Sequence, residues 1–453
     1  MKKQTLITIL TVIIISTFFS TAAFAADYTY SDNGDGTCTI TDYDGPGGNV
    51  TIPSDLNDLT VTIIGERAFY DCDNLTNITI PATVTNIEIF AFKNCSSLIG
   101  ITVDPANTAY SSLDGVLFNK IQTTLIQYPG GKIGPYSIPD TTTTIVEAAF
   151  SHCYKLNSII IPDSVTTIEG DAFYACFNLP SLTIPDSVIT IGDYAFSHCT
   201  GLITVTIGNS VTTIGHAAFS SCTSLTNATI GRNVTRIGGW AFAYCADLTS
   251  MNIPNTVTSI GEMAFYYCSG LTRVNIPEGV TSIARDTFYY CRALTSITIP
   301  DTVTNIKIYA FRFCYGLTTI IIGDSVTTIG DKVFYRCTKL TGAYFKGDAP
   351  TASSNIFQDD DKVTVYYVPA TSGWAETFGG RPTAEWPPSP ADADLNYEVD
   401  IYDFAVLAAN WYLADCESFN DFCNGADFNL DGVVDEADLA TLADQWLFPT
   451  GSF

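Results

Sequence analysis

Apolar positions in this chain fall into columns. Phe stands at 69, 92, 150, 173, 196, 219, 242, 265, 288, 311 and 334, and Cys follows each of them three residues later. From Phe150 onward the step is a constant 23 residues, so one short unit is stacked many times. In the stretch from Leu202 to Cys222, the pattern L-x-x-V-x-I predicts a short strand with Val205 and Ile207 turned inward. Gly208 ends that strand where Pro162, Pro185, Pro254, Pro277 and Pro300 stand in sister units. Val211 and Ile214 predict a second short extended piece. The spacing of Ala218, Phe219 and Cys222 predicts one turn of helix or 3₁₀. No unit can bury this apolar set alone, so the core exists only once like residues stack at the inter-strand spacing of about 4.8 Å.

The motif I-P-x-x-V-T-x-I-x-x-x-A-F-x-x-C-x-x-L resembles the BspA-type leucine-rich repeat of bacterial surface and secreted proteins. The resemblance covers residues 60–345 and implies a mainly β solenoid, a leucine-rich-repeat array of 23-residue units with short 3₁₀ or helical turns. Between Cys95 and Cys153 the step is 58 residues, and the text from Tyr110 to Phe118 and on to Tyr128 looks like a hairpin-bearing double unit. Residues 26–59 resemble the family's N-terminal cap and residues 346–386 its closing segment.

Lys2 and Lys3 precede an uncharged apolar run from Leu6 to Phe19, and Ala23-Phe24-Ala25 supplies a small-x-small cleavage site. Residues 1–25 therefore read as a signal peptide, and the expected location is secreted or cell surface. No later run approaches the length of a membrane span.

Fourteen cysteines in an exported chain would ordinarily suggest disulfides. Eleven of them, an odd number, belong to the repeat column, and equivalent positions point the same way from successive units. That is poor geometry for a disulfide, so a ladder of buried thiols is expected. Cys416 and Cys423 are the best candidate pair, and Cys38 has no evident partner.

Charge is unevenly spread. Of a formal net charge of −27, residues 391–453 supply −14, with fourteen Asp or Glu and no Lys or Arg. A stiff Pro linker at 387–390 marks the boundary. Asp427, Asn429, Asp431, Gly432, Asp435 and Asp438 occupy places one, three, five, six, nine and twelve of a calcium loop. Asp392, Asp394, Asn396, Asp400 and Asp403 repeat the oxygen positions 35 residues upstream. Alternating carboxylates and amides suit Ca²⁺, which takes six to eight oxygens. Each loop runs into an apolar helical pattern that ends in Trp411 or Trp446.

Paired units of this kind over 391–447 resemble type I dockerin domains, which implies a cohesin-like or other extracellular protein partner. Two departures stand out. Tyr397 takes the place of the turn Gly in the first loop, and Ile401-Tyr402 and Glu436-Ala437 replace the small hydroxyl residues expected before the last Asp.

Catalytic constellations are scarce. His152 and His198 share a column two repeats apart, roughly 10 Å at the strand spacing and too far to hold one metal. The array's acids scatter through turns, so no enzyme is expected. Tyr244, Tyr267, Tyr290 and Phe313 fill the column two after Phe, with Tyr266, Tyr289 and Tyr335 one place earlier. Such a ladder can bind sugars or a protein, or simply pack neighbouring units together. Thr columns (Thr183, Thr206, Thr229 and Thr298; Thr212, Thr235, Thr258, Thr281, Thr304 and Thr327) suit strands that face water.

The sequence thus describes a secreted, non-enzymatic recognition or adhesion protein. Its array would bind a polysaccharide or a surface protein, and its calcium-dependent domain would attach it to an extracellular assembly. A self-associating envelope or coat protein is the alternative.

Overall fold

The computed structural model describes residues 27–386 and Leu439. The signal-peptide segment, the Pro linker and the calcium loops of 391–447 lie outside the described residues, as do Cys416 and Cys423.

The array is a β solenoid in which each coil contributes two short strands. In one coil these are Thr204–Ile207 and Thr213–Ile214. Thr204–Ile207 pairs in parallel with Ser181–Ile184 and Asn227–Thr229, and Thr213–Ile214 pairs with Thr190–Ile191 and Arg236–Ile237. Each residue lies beside the one 23 positions away, so the column pattern in the sequence is the register of the sheets. The inward residues Val205, Ile207 and Ile214 are buried, whereas Thr204 and Thr206 between them are exposed. This is the period-two alternation of a sheet with one wet face.

The third side of each coil departs from the expected helix or 3₁₀ turn. It is a run of tight turns held by two alternating sets of backbone bonds. Ala218, Ser220 and Cys222 donate within the coil to Gly215, Ala217 and Phe219. Ala217, Phe219 and Ser221 donate to the next coil, at Gly239, Ala241 and Ala243. Ala217 and Ser221 have φ of 51° and 60°, in the left-handed region. Continuous helix is impossible through such residues. Turning every second N–H outward pairs this side with its neighbour much as a strand would be paired.

Inside, the Phe rings form a stack parallel to the axis. From Phe150–Phe173 to Phe334–Phe357 the centroids are 4.6 to 5.8 Å apart and the planes differ by 14° or less. Isolated rings prefer offset or edge contacts. Here the coil spacing imposes the near-parallel arrangement.

Three features extend or correct the expectations. Tyr128 fills the Phe place of the irregular unit, stacking on Phe150 at 5.0 Å and donating its N–H to Ala149. Phe357 carries the Phe column one coil past Phe334, and buried Asp360 takes the place of its Cys. The expected hairpin forms from Tyr110–Leu113 and Val116–Asn119, but it also divides the interior. Leu117 belongs to an N-terminal core running from Tyr28, and Val116 and Phe118 belong to the core of the main array. Opposite faces of one strand serve two interiors, so the core is not one continuous column.

At the N-terminal end, Thr37–Tyr43 pairs in parallel with Leu59–Ile64, and Tyr28–Asp32 pairs antiparallel with Thr37–Tyr43. At the other end Arg381–Glu385 closes the sheet in parallel on Thr364–Tyr367.

Candidate interaction face

The turn side of the coils carries the aromatic columns. Tyr244, Tyr267, Tyr290 and Phe313 all sit in the left-handed region, with φ of 61°, 59°, 64° and 62°. The same column holds His152, Ala175, His198, Ser221 and Arg336, so side-chain preference does not produce the conformation. The inter-coil bonds do. Tyr244, Tyr267, Tyr290 and Phe313 donate their N–H groups to Tyr266, Tyr289, Arg312 and Tyr335 of the next coil. For bulky residues this backbone costs on the order of 1–3 kcal/mol each and persists because its surroundings over-determine it.

The rings stack along the axis. Tyr267 lies 5.4 Å from Tyr244 and 4.3 Å from Tyr290, nearly parallel to both. Tyr266 and Tyr289 form a second nearly parallel pair at 4.7 Å. Phe313 turns edge-on to Tyr290 at 6.2 Å and to Tyr335 at 5.5 Å. Ring faces are therefore largely covered by neighbours, and the edges look outward. Tyr244 is 39% exposed, while Tyr267, Tyr290 and Phe313 are half-buried. Trp240 stands over Tyr266 at 5.3 Å and extends the patch toward the N-terminal end. Burial, and then the nearby Tyr244 and Tyr289 hydroxyls, push the Tyr266 hydroxyl up to about 12.

Cations lie among these rings, and sequence reasoning missed them. Arg312 has its guanidinium carbon 4.7 Å from the Phe313 ring centre, 4.8 Å from Tyr309, 4.9 Å from Tyr335 and 5.8 Å from Tyr289. Its Nε is buried without a hydrogen-bond partner. Arg292 lies over Tyr290 at 5.4 Å, and Lys332 over Tyr335 at 5.8 Å. The signal was available, since Arg312 occupies the column of Tyr266 and Tyr289. Only the structure puts four rings around it.

The other candidates are structural. Thr212, Thr235, Thr258, Thr304 and Thr327 donate their hydroxyls to the carbonyl 23 residues earlier, so this column stitches coils together. His152 and His198 each lie 5.3 Å from the Tyr174 ring, which stands between them. Burial, then Lys93, holds His152 below its usual range, and its Nδ1 is 2.9 Å from the Ser151 hydroxyl. The text Asp32-Asn-Gly-Asp-Gly36 resembles part of a calcium loop, but Asp32 and Asp35 accept hydrogen bonds from the backbone of Gly34 and Thr37, a turn arrangement. Among the described residues no group of three or more His, Cys, Asp or Glu is placed to hold a metal ion.

All twelve described cysteines are free thiols. Cys38 and the repeat column are buried apart from the half-exposed Cys72. The thiols do more than fill space. Cys176, Cys199, Cys222 and Cys245 donate S–H to the carbonyls of Phe150, Phe173, Phe196 and Phe219, at 3.2 to 3.3 Å.

The family described as BspA type leucine rich repeat region (6 copies) matches residues 49–131, 127–249 and 240–364. No curated protein matches the chain. A leucine rich cell surface protein from Faecalibacterium prausnitzii is 28% identical over 72% of this chain and 95% of that one, with a TM-score of 0.40. A leucine-rich repeat protein from Bacteroides ovatus is 26% identical over 70% and 93%, with a TM-score of 0.35. The pneumococcal vaccine antigen PcpA is 19% identical over 76% and 92%, with a TM-score of 0.50, a likeness of fold. With the family matches running through the coils whose Phe and Cys columns build the core, the chain belongs to the BspA-type leucine-rich-repeat family.

Proposed function

We propose that this is an exported, non-enzymatic recognition protein that meets a surface protein through its aromatic turn side, between Trp240 and Arg336. The observation that carries this reading is the ribbon of stacked Tyr and Phe rings interleaved with Arg292, Arg312 and Lys332. Tyr, Trp and Arg dominate protein-binding hot spots, the two aromatics because they bury large rigid surfaces at low entropic cost and Arg because its planar guanidinium stacks and hydrogen-bonds at once. A polysaccharide is the weaker fit for this ribbon. Sugars stack on ring faces, and these faces lie largely against one another. Family membership supports a recognition role, and a surface location agrees with the basic, apolar N-terminal leader.

Residues 391–447 would attach the molecule to an extracellular assembly through a cohesin-like partner. Ca²⁺ would be held by Asp392, Asp394, Asn396, Asp400 and Asp403 in one loop and by Asp427, Asn429, Asp431, Asp435 and Asp438 in the other.

The test is capture of surface proteins and glycans by the full chain beside Tyr244→Ala and Arg292→Ala variants. Protein binding weakened by both substitutions supports the reading. Glycan binding indifferent to both, or self-association with no ligand, would reject it.

A further inference from the structure

The turn side between Trp240 and Arg336 combines two properties. It is the broadest aromatic patch described above, and it keeps cations on a chain of net charge −27. Carboxylates share it, among them Asp247, exposed in the turn that carries the Arg292 column. Asp286 is buried and lies 3.0 Å from Arg285, Asp359 pairs with Arg336 at 3.0 Å, and Asp331 accepts a hydrogen bond from Ser353. Glu262 is exposed on the same side. Arg292, Arg312 and Lys332 have no ion pair among the described residues.

Arg312 already acts on the buried Asp286 without forming an ion pair with it: burial raises that carboxyl, and Arg285 and then the Arg312 charge lower it. Rings of Phe313, Tyr309, Tyr335 and Tyr289 hold its guanidinium. A planar guanidinium fixed in this way loses little freedom on pairing and meets a carboxylate with two parallel hydrogen bonds. Arg292 and Lys332, on the coils to either side, extend the positive character along the axis.

The chain carries its own dense source of carboxylates. Residues 391–453 hold fourteen Asp or Glu with no Lys or Arg, beginning five residues past Trp386. Five extended residues reach about 17 Å, and the four coil steps from Phe242 to Phe334 span about 19 Å. The patch ends one coil short of Phe357, at the same end of the array as Trp386. Trp386 packs on Tyr344 at 4.9 Å on the outer face of the first-strand sheet, so the acidic run must pass round the edge of a coil to reach the turn side. Its local concentration at the patch is that of a tethered ligand, which raises binding without any new contact.

We infer that the acidic residues 391–453 dock on the Trp240–Arg336 side of their own solenoid, with carboxylates on Arg292, Arg312 and Lys332. The recognition side would then be self-covered, and an external partner would have to displace the acidic run. The inference concerns the side proposed above for recognition but does not require that any external partner exist.

The test uses the full chain in metal-depleted buffer, so that it is independent of calcium binding. Zero-length carbodiimide coupling joins Lys332 to carboxylates in contact with it, and peptides are identified after digestion with a protease that cuts at aromatic residues. The expected result is Lys332 joined to Asp or Glu within 391–453 at low salt. That product should be lost in about 1 M sodium chloride, where the Debye length is near 3 Å. It should fall several-fold in Arg292→Glu and in Arg312→Glu. Arg292 is the more exposed of the two, so its variant reads the charge without disturbing the ring packing. Lys332 joined only to array carboxylates would overturn the inference. So would coupling between differently isotope-labelled copies with none inside a single copy, which would assign the side to a second molecule.

Discussion

The thiol of Cys222 lies 3.2 Å from the carbonyl oxygen of Phe196, one coil earlier, and donates its proton there. The same carbonyl already accepts the N–H of Cys199. Thiol and amide together satisfy both lone pairs of a buried oxygen. Burial, then the neighbouring Cys199, raises the Cys222 thiol well above its usual range, so the nucleophilic thiolate is nearly absent. In native protein at pH 8 the buried column should resist iodoacetamide, whereas all described cysteines should react after denaturation. Half-exposed Cys72 should be first in the column to react. Mass mapping of the alkylated peptides checks this, and disulfides within the column would refute it.

Two substitutions in one left-handed column should move stability in opposite directions. Ser221, at φ 60°, makes no side-chain hydrogen bond that Gly would lose. Ser221→Gly should therefore gain up to about 1 kcal/mol by relieving the backbone, after subtracting the greater freedom of unfolded Gly. Tyr267→Gly relieves the same backbone but removes a ring stacked on both Tyr244 and Tyr290. It should lose about 1–3 kcal/mol. Denaturant midpoints of the two variants give the comparison, and a shared sign would disprove it.

Asp360 makes the stability of the C-terminal end pH-dependent. It occupies the Cys place of the last Phe-bearing coil, and neither carboxyl oxygen has a hydrogen-bond partner. Burial pushes the group up to about 8, against the lowering influence of the Cys337 backbone and then of Arg381. A folded value above the unfolded one means that the fold takes up a proton. The stabilising contribution is whole below about pH 4, declines above it, and is lost as pH rises through 8. A protonated carboxyl can donate, as the column thiols do, and a carboxylate cannot. The melting temperature should fall between pH 5 and pH 8.5, and Asp360→Asn should flatten that slope. An unchanged slope in the variant would remove Asp360 as its cause.

Calcium should bind the acidic end. Calorimetric titration of the full chain should show binding that Asp431→Ala weakens, because Asp431 stands at the fifth place of the loop in which every ligand position is filled. Heat unaffected by Asp431→Ala, or no heat at all, would defeat the loop assignment.

The periodic part of the fold was legible because stacked coils force like residues into register. The 23-residue step in the text is the residue pairing of both sheets, as between Val205 and Ala228 or Ile214 and Ile237. The third side was misread because Ala218, Phe219 and Cys222 have helical spacing, while the flanking Ala217 and Ser221 carry no sign of left-handed backbone. Hydrogen bonds to the next coil impose that conformation on Ala, Tyr, His and Arg alike. Tyr128 was hidden by its distance of 36 residues from Phe92, and Phe357 by an Asp where Cys was expected. The aromatic columns were visible in the text. The cage around Arg312 was not, because Tyr289, Tyr309 and Tyr335 reach it from three different coils.

The two-sided strand Val116–Asn119 has a mechanical consequence. A filament with a single interior would peel apart from one end without pause, whereas this one contains an internal bulkhead. Stretched between its ends, the segment from Tyr28 to Leu117 and the longer segment beyond it should rupture as two events, with the seam at the hairpin.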